Sequence, residues 1–267
     1  MLSSIEGSWS LILGASSGMG RATAQAMAAE GAHVVGLHFG TGSRVDDAQD
    51  AVAKLRASGV QAHFFNANAA NPATVEDVVG RVAELTKGAG IRILLHSLAF
   101  GSLMPFLPVV GEAEARAITR RQMDMTVDVM AHSLVYWVQA LLARSLLPRG
   151  AKVFAMTSAG DQKVSVSYGA VSAAKCALES HVRQLAVELA PHAVAVNALR
   201  AGVTLTPSLE RIPEHGALVA HAEACNPHGR LTTPEDVAEA VVLLSRTESS
   251  WVTGNVIGVD GGEMLTA

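Results

Sequence analysis

The sequence contains little cysteine and little charge. Its two cysteines, Cys176 and Cys225, stand far apart without the spacing of metal ligands, which argues against a disulfide framework and a cysteine-based zinc site. Charged residues make up 16% of the chain, below the usual fraction of about a quarter in soluble domains. We therefore expect apolar surface buried between the subunits of a homotetramer, although a large core would lower the charged fraction in the same way.

Runs of basic residues and an amino-terminal targeting segment are also missing. The net charge is -4, and no run of Lys or Arg is longer than Arg120-Arg121, so there is no electrostatic footprint for nucleic acid or an anionic membrane. The amino terminus has no charged region followed by a long apolar one, and apolar runs are shorter than the roughly 20 residues of a membrane span. We predict a reduced, cytoplasmic protein with a small-molecule partner, no nucleic-acid partner and no membrane partner.

Short apolar runs rich in β-formers alternate with stretches of helical periodicity. This alternation is typical of a parallel sheet covered by helices on both faces, the doubly wound α/β architecture. A chain of 267 residues, 49% of them hydrophobic, can bury one core, and we predict a single domain over residues 1–267. Seven strands are predicted at 10–13, 33–37, 62–65, 91–95, 152–156, 193–198 and 256–259. Helices are predicted at 21–29, 47–57, 75–86, 125–147, 170–189 and 235–244.

Asn71-Pro72 and Thr233-Pro234 predict two helix starts. Each pair places a side-chain acceptor before a proline whose missing amide hydrogen costs nothing in the first helical turn.

The least regular segment, residues 200–233, has no obvious strand. We expect short helices within it, around 215–225, and a role as a substrate lid. A disordered loop is the alternative.

The first predicted strand runs directly into a glycine-rich loop and then a predicted helix. The loop reads Gly14-Ala15-Ser16-Ser17-Gly18-Met19-Gly20. Glycines here permit a tight turn, let the backbone approach a pyrophosphate and allow close packing of helix on strand, while the helix amides face the anion. The pattern predicts a dinucleotide site at residues 14–20. A helix-entry turn without a ligand is the alternative.

No acid follows the second predicted strand, where folds that bind NAD usually hold the adenosine ribose with a carboxylate. The region reads Leu37-His38-Phe39-Gly40, and the first acid is Asp46. A 2′-phosphate therefore meets no repulsion, and Arg44, His38 and Ser17 are candidates to contact it. We expect NADPH rather than NADH. A solvated loop arginine is the alternative for Arg44.

Tyr168 and Lys175 lie seven residues apart near the start of a predicted helix. Seven residues make about two helical turns, so both side chains can reach one cleft. A nearby ammonium favours the phenolate, which helps a tyrosine to donate a proton or a hydrogen bond to a developing oxyanion. We take these residues as the candidate catalytic pair. A structural role for both is the alternative.

Several motifs together resemble the short-chain dehydrogenase/reductase family over essentially the full length of the chain. The loop from Gly14 to Gly20 is similar to the family's cofactor loop, and Asn68-Ala69 to its adenine-contact element. Val252-Thr253-Gly254 and Val259-Asp260-Gly261-Gly262 resemble its carboxy-terminal signature. The resemblance implies a Rossmann-like doubly wound sheet and an NAD(P)H-dependent oxidoreductase.

Three departures from the ordinary ketoreductases of that family resemble its enoyl-acyl carrier protein reductases. Ketoreductases space the catalytic Tyr and Lys four apart, whereas Ser172 stands at that position here and Lys175 follows three residues later. His96-Ser97-Leu98-Ala99-Phe100-Gly101 replaces an Asn-Asn-Ala-Gly motif, and Asn197-Ala198-Leu199-Arg200-Ala201-Gly202 is the third similarity. The compact glycine loop resembles the divergent, ketoreductase-like branch, which tends towards NADPH.

Ser158 and Tyr136 leave the choice between these groups open. Many enoyl reductases have a second tyrosine ten residues before the catalytic one, where this chain has Ser158. Ser158 also resembles the carbonyl-binding serine of ketoreductases. Tyr136 has apolar neighbours and is expected to be a packing residue. Asp128, Met130 and His132 occupy a helix in which many ketoreductases carry a proton-relay asparagine.

The resemblance implies hydride transfer to the 2,3 double bond of an enoyl thioester on acyl carrier protein or coenzyme A, in fatty acid biosynthesis. Tyr168 would hydrogen-bond the thioester oxygen, Lys175 would hold the nicotinamide ribose, and Ser158 is a further catalytic candidate. The implied cofactor contacts are Gly14, Ser16, Ser17, Gly18, Met19, Gly20, His38, Asn68, Ala69, Ser97, Ala99, Lys175, Gly202, Thr204 and Thr206. The implied substrate contacts are Phe100, Ser158 and Tyr168. Leu98, Leu103, Met104 and Phe106 are acyl-channel candidates or, alternatively, core or subunit contacts.

Two other functions fit the same residues. One is a ketoreductase or alcohol dehydrogenase in which Ser158 and Tyr168 polarise a carbonyl, such as that of a 3-oxoacyl thioester. The other is a catalytically silent dinucleotide sensor. No metal site is predicted, because His215, His221 and His228 show no pairing on adjacent helical turns. Cys225 is expected to be an ordinary thiol, because no base is identifiable beside it.

Overall fold

The computed structural model describes residues 2–108 and 116–266. Within these residues the chain forms one seven-stranded parallel sheet with the strand order β3-β2-β1-β4-β5-β6-β7. The strands are β1 Trp9–Leu13, β2 His33–His38, β3 Ala62–Asn66, β4 Ile93–His96, β5 Lys152–Ser158, β6 Ala195–Ala201 and β7 Val256–Val259. The α-helices are α1 Gly18–Ala29, α2 Ser43–Ala57, α3 Pro72–Leu85, α4 Arg120–Val127, α5 Ser133–Ala143, α6 Gly169–Glu188, α7 His215–Cys225, α8 Pro234–Ser245 and α9 Glu263–Thr266. The predicted doubly wound, Rossmann-like sheet is confirmed.

From β1 at the centre, the strands are added first on one side of the sheet, as β2 and β3, and then on the other side, as β4 to β7. β1 pairs in parallel with β2 on one side and with β4 on the other. In open α/β sheets, a crevice forms at the carboxyl ends of the strands where successive crossovers leave in opposite directions. The loops after β1 and β4 therefore flank the position at which this architecture binds ligands.

Two apolar layers hold the helices against the sheet. One layer packs α3, α5 and α6 on the first face, with Trp137 fully buried at its centre. The other packs α1, α2 and α8 on the opposite face, around Met27 and Phe154. Because both faces are covered, the central strands are apolar along their whole length, as the sequence pattern indicated.

Both proline-marked helix starts are confirmed. The side chain of Asn71 accepts hydrogen bonds from the amides of Ala73 and Thr74 at the start of α3. Thr233 and Asp236 form a reciprocal capping box at the start of α8. Such caps satisfy amides that have no partner inside the helix.

Two predicted boundaries are corrected by residues with left-handed backbones. β6 begins at Ala195 rather than at residue 193, because Ala193 has a φ of 54° and ends a short 3₁₀ turn. α5 ends at Ala143 rather than at residue 147, because Ser145 has a φ of 56°. Neither residue is a glycine, so the sequence carried no sign of either turn.

The predicted helix over 125–147 is a longer and less regular element. It begins at Arg120, and a π-helical turn, Asp128–His132, separates α4 from α5. The combined helix of 24 residues is, contrary to expectation, long and apolar enough to cross a membrane by length and composition alone. Half of its most apolar window is buried inside the protein, as expected for a core helix.

The segment predicted as a lid follows β6. Since β6 extends to Ala201, the part outside the sheet is 202–233, and its helix α7, His215–Cys225, has the predicted bounds. The hydroxyl of Thr266 donates to the carbonyl oxygen of Cys225 at 2.5 Å. This bond ties the end of α7 to the carboxy-terminal helix α9.

Candidate active site

The glycine-rich loop lies between β1 and α1, and two of its glycines are required by close backbone contacts. A Cβ on Gly14 would lie 2.3 Å from the carbonyl oxygen of Ser97, and the φ of Gly14 is 94°. A Cβ on Gly20 would lie 2.1 Å from the carbonyl oxygen of Gly14. No side chain fits at either position, so helix α1 and the β4 loop both approach the end of β1 closely.

The start of α1 fits the pyrophosphate of a dinucleotide. Ser17 precedes the helix in an extended conformation and makes no side-chain capping bond, and the first turn contains no acid. The positive end of the helix dipole is therefore not neutralised by the helix's own first turn. Gly18 has a φ of 50°, and a Cβ there would lie 3.2 Å from the methyl group of Thr206. Thr206 thus reaches across from the loop after β6 to the glycine loop.

His38, the last residue of β2, and Phe39, which follows it, lie in different environments. His38 is buried, and burial lowers the pKa of its imidazole. It lines a cleft of about 360 Å³ between α2 and β3 together with Arg56 and Phe64. Phe39, by contrast, is 66% exposed. The side chain presented to solvent beside the expected adenosine position is therefore that of Phe39, a residue that was not predicted as a cofactor contact.

The residues predicted after β3 and β4 lie at the same edge of the sheet. The carbonyl oxygen of Ala69 accepts a 2.9 Å hydrogen bond from the indole of buried Trp137. The amide of Ser97 donates to the carbonyl oxygen of Leu13 at 2.8 Å. Asn68 and Ala99 are exposed. The loops that carry these residues are thus fixed to the core while their polar atoms and small side chains stay accessible.

Tyr168 immediately precedes α6, and its hydroxyl lies 3.4 Å from that of Ser158 at the end of β5. Its ring packs against a small apolar cluster that includes Leu103 and Met130. A Cβ on Gly160 would lie 2.3 Å from the ring. Burial raises the pKa of Tyr168, and the hydrogen bond from Ser158 offsets part of that rise.

Lys175 lies two turns further along α6 and is buried, whereas Tyr168 is partly buried. Its ammonium donates a 2.7 Å hydrogen bond to the carbonyl oxygen of Met156, two residues before Ser158 on β5. Burial lowers the pKa of Lys175 to about 8, although nearby Glu179 acts in the opposite direction. Tyr168 and Lys175 are therefore both anchored at the carboxyl end of β5.

One expectation about this pair is wrong. We expected the ammonium of Lys175 to favour the phenolate of Tyr168, but the pKa of the tyrosine is raised, with burial as the main cause. The charge of Lys175 acts instead on His96, whose pKa falls to about 3, first through burial and then through Lys175. In the described structure Tyr168 is therefore protonated at neutral pH, and it shares a hydrogen bond with Ser158 in which either hydroxyl can donate.

Two buried polar contacts that the sequence did not predict lie beside Lys175. The Nε2 atom of His96 lies 2.8 Å from the hydroxyl of Ser133, which donates to the carbonyl oxygen of Val129 in the π-helical turn. The hydroxyl of Thr157 donates to the carboxylate of Glu179 at 2.8 Å. These contacts join β4, β5, α5 and α6 around the lysine. Their partners are far apart in sequence, so no local pattern could show them.

The acyl-channel candidates have different surroundings. Phe106 lies against Gly169, where a Cβ would come within 2.5 Å of its ring. Leu98 packs against the core, and Met104 accepts a contact from the side chain of Gln122. Phe100 is 41% exposed. Phe106 and the cluster residue Leu103 are thus the two candidates that the structure brings to Tyr168 and its helix.

The loop after β6 is tied to the carboxy-terminal helix. The buried carboxylate of Glu263 accepts a 3.0 Å hydrogen bond from the amide of Val203. The hydroxyl of buried Thr204 donates to the carbonyl oxygen of Gly202. Gly202 itself leaves no room for a side chain, since a Cβ would lie 2.4 Å from the hydroxyl of Thr232.

Two minor expectations need correction. Tyr136 is 37% exposed, and its hydroxyl donates to Asp128 across the π-helical turn, so it is a surface residue. Cys225 does have a base beside it, because the ring nitrogens of His221 lie 3.6 and 3.7 Å from its sulfur. That pair is spaced by four residues on α7 and was therefore predictable from the sequence.

Within residues 2–108 and 116–266, no group of three or more potential ligands is placed to hold a metal ion.

A family model, curated relatives and solved structures resemble this chain. A family model described as enoyl-(acyl carrier protein) reductase matches residues 14–263. Over 151 residues the chain is 32% identical to enoyl-acyl-carrier-protein reductase (NADH) of Escherichia coli strain K12, and the match spans 57% of each protein, little more than half of that relative's length. It is 30% identical to 2,5-dichloro-2,5-cyclohexadiene-1,4-diol dehydrogenase of Sphingobium indicum over 98% of each chain. A solved short chain dehydrogenase from Burkholderia cenocepacia J2315 in complex with NADP has a TM-score of 0.81 at 26% identity, covering 98% of this chain and 99% of that one.

Proposed function

The chain belongs to the short-chain dehydrogenase/reductase family, and on that premise we propose that it is an enoyl thioester reductase. Membership makes it an NAD(P)H-dependent oxidoreductase. The finer proposal is that the reaction saturates the 2,3 double bond of an acyl thioester in fatty acid biosynthesis. The family model that matches residues 14–263 carries the description of an enoyl-(acyl carrier protein) reductase, which supports this choice.

The observation that carries the proposal is the placement of Tyr168 and Lys175. Although seven residues separate them, their polar groups lie at the hydroxyl of Ser158 and the carbonyl of Met156, at one end of β5. The spacing is similar to that of enoyl reductases rather than ordinary ketoreductases. It gives one phenol and one ammonium on the same side of the expected nicotinamide position.

Each residue has a distinct task in this proposal. Tyr168, neutral because burial raises its pKa, donates a hydrogen bond to the thioester oxygen as negative charge develops there. Lys175 holds the nicotinamide ribose and supplies positive potential, so its loss should damage cofactor binding and chemistry together. Phe100, Leu103 and Phe106 offer apolar contacts for the acyl chain.

The bound dinucleotide supplies the hydride. The closely packed Gly14 and Gly20 and the acid-free start of α1 fit its pyrophosphate. We propose NADPH as the preferred form, because no carboxylate follows β2 and the exposed residue there is Phe39. The known relatives include one named for NADH and one solved with NADP.

A second candidate function is carbonyl or alcohol oxidoreduction. The 3.4 Å separation of the Ser158 and Tyr168 hydroxyls suits two donors on one carbonyl oxygen. The full-length similarity to a diol dehydrogenase supports the same reading. In this candidate the substrate is a ketone such as a 3-oxoacyl thioester, or the corresponding alcohol.

We also propose a cytoplasmic homotetramer that takes its acyl group from acyl carrier protein or coenzyme A, with the 202–233 segment as its lid. Trp251 is 91% exposed, and Val187 and Val252 are exposed apolar residues as well. Such side chains are suited to burial between subunits. Light scattering in solution tests the tetramer.

The decisive experiment follows NADPH and NADH oxidation with a crotonyl thioester and an acetoacetyl thioester, with Tyr168→Phe as the inactive control. Reduction of the crotonyl thioester, lost in Tyr168→Phe, supports the enoyl reductase. Reduction of the ketone alone replaces it with the second candidate. Cofactor binding without turnover of either thioester, or of a wider substrate panel, would indicate a dinucleotide sensor and overturn both enzymatic proposals.

A further inference from the structure

The 202–233 segment is docked at both ends of the candidate cleft. Near its start, Thr206 lies against Gly18 of the glycine loop. Further along, Glu214 immediately precedes α7 and contacts the turn that leads into Tyr168. The segment therefore bridges the expected pyrophosphate position and the catalytic phenol.

The contact of Glu214 involves two serine hydroxyls and one carboxylate oxygen. Ser167 donates to the Oε2 atom of Glu214 at 2.9 Å, and Ser165 donates to the same atom at 3.4 Å. Ser167 is only 5% exposed, and it directly precedes Tyr168. The amide of Tyr168 in turn donates to the carbonyl oxygen of Ser165. Both serines thus belong to the turn that presents the phenol.

Glu214 is not needed by its own helix. Its side chain makes no capping bond to α7, and the residue is exposed. Its carboxylate instead accepts a hydrogen bond from Ser167, which lies 47 residues earlier in the chain. A surface acid that satisfies a buried hydroxyl beside a catalytic residue links the two segments physically, because the hydroxyl would otherwise lose a strong acceptor.

We propose that Glu214 is a positioning residue that latches the lid to the turn carrying Tyr168. This contact couples closure of the segment over the cleft to orientation of the phenol, so the two changes occur together. The inference rests on the proposed function, since it assigns Tyr168 as the catalytic donor. It adds a determinant of that function which lies outside every motif of the sequence.

The test compares three variants of the intact protein. Glu214→Ala removes the acceptor, Glu214→Gln keeps a neutral carbonyl acceptor, and Glu210→Ala removes a lid carboxylate that has no hydrogen bond or ion pair among the described residues. The readouts are kcat and KM with a crotonyl thioester, the Kd of NADPH, and amide hydrogen exchange at 165–168 and 215–225.

Glu214→Ala should lower kcat about ten-fold, the value of one hydrogen bond to a charged acceptor, while the Kd of NADPH changes less than about two-fold. Amide hydrogen exchange should become faster at residues 165–168 and 215–225 in this variant. Glu214→Gln should recover most of kcat, and Glu210→Ala should match the wild type in every readout. This split between kcat and cofactor affinity would not result from a general loss of stability.

Unchanged exchange at 165–168 in Glu214→Ala overturns the latch, whatever happens to kcat. An equal loss of kcat in Glu210→Ala overturns the latch as well. If the wild type does not reduce the crotonyl thioester, the proposed function fails instead, and the exchange experiment still decides whether Glu214 holds the turn.

Discussion

The phenolic oxygen of Tyr168 lies 3.4 Å from the hydroxyl oxygen of Ser158, ten residues earlier in the chain. A hydrogen bond of this length is weak, so burial has the larger influence and raises the pKa of the phenol. Tyr168 is consequently protonated through the neutral pH range. It can donate a hydrogen bond without first recovering a proton.

Ser158→Ala should shift the alkaline limb of the activity profile to higher pH. The bond from Ser158 lowers the pKa of Tyr168, so its removal raises that pKa further. Because the donor form of the tyrosine is lost as pH rises through its pKa, the variant keeps activity to higher pH. The measurement is kcat from neutral to strongly alkaline pH. An unmoved limb would show that another group controls it.

Cofactor affinity should fall as pH rises through about 8. The pKa of buried Lys175 is lowered from 10.5 to about 8, so its positive charge is lost above that pH in the free protein. The Kd of NADPH, measured by fluorescence, should increase on the alkaline side. Lys175→Gln should bind weakly at all pH values and show no such step, whereas exposed Lys54→Gln should retain it. A step that survives in Lys175→Gln contradicts the assignment.

Two glycine substitutions should have opposite effects on stability. Gly20→Ala forces a Cβ to within 2.1 Å of a backbone oxygen, and we expect a loss of more than about 2 kcal/mol in the free energy of unfolding, with loss of NADPH binding. Gly216→Ala on α7 meets no atom within 4 Å. It should stabilise the protein by about 0.5 kcal/mol, because glycine lowers helix stability. Urea unfolding measures both, and equal effects would be inconsistent with the packing described.

Phe39→Asp should reverse the proposed cofactor preference. The substitution places a carboxylate at the exposed position after β2, where it repels a 2′-phosphate and can accept hydrogen bonds from ribose hydroxyls. We expect the Kd of NADPH to rise about ten-fold or more while that of NADH is unchanged or lower. Phe39→Asn is the uncharged control. If both substitutions weaken NADPH equally, charge at residue 39 does not decide the preference.

The parts of the fold that were predictable depend on neighbours in sequence. The periodicity of the strands, the caps at Asn71 and Thr233, and the close contact of Gly20 with the backbone of Gly14 all express rules that act within a few residues. The bounds of α7 followed from the same rules. Once that helix was expected, the spacing of His221 and Cys225 already indicated a contact.

The rest depends on chain segments that meet only after folding. The bond from Ser167 to Glu214 and that from Thr157 to Glu179 join residues 47 and 22 positions apart. The raised pKa of Tyr168 results from burial, which the spacing to Lys175 could not reveal. Left-handed residues such as Ala193 and Ser145 ended elements without the glycine that usually marks such a turn.

The wide turn at Asp128–His132 has an evolutionary consequence. A π-helical turn accommodates one residue more than an α-helix needs. Loss of one residue there would restore a regular α-helix while α4 and α5 keep their mutual orientation, because the π-turn takes up the extra residue locally. The hydroxyl of Thr126 on α4 would still accept a hydrogen bond from the amide of Ser102, and the core contacts of α5 would stay in place. The helix can therefore gain or lose a residue at this turn and leave the loop above the cleft intact.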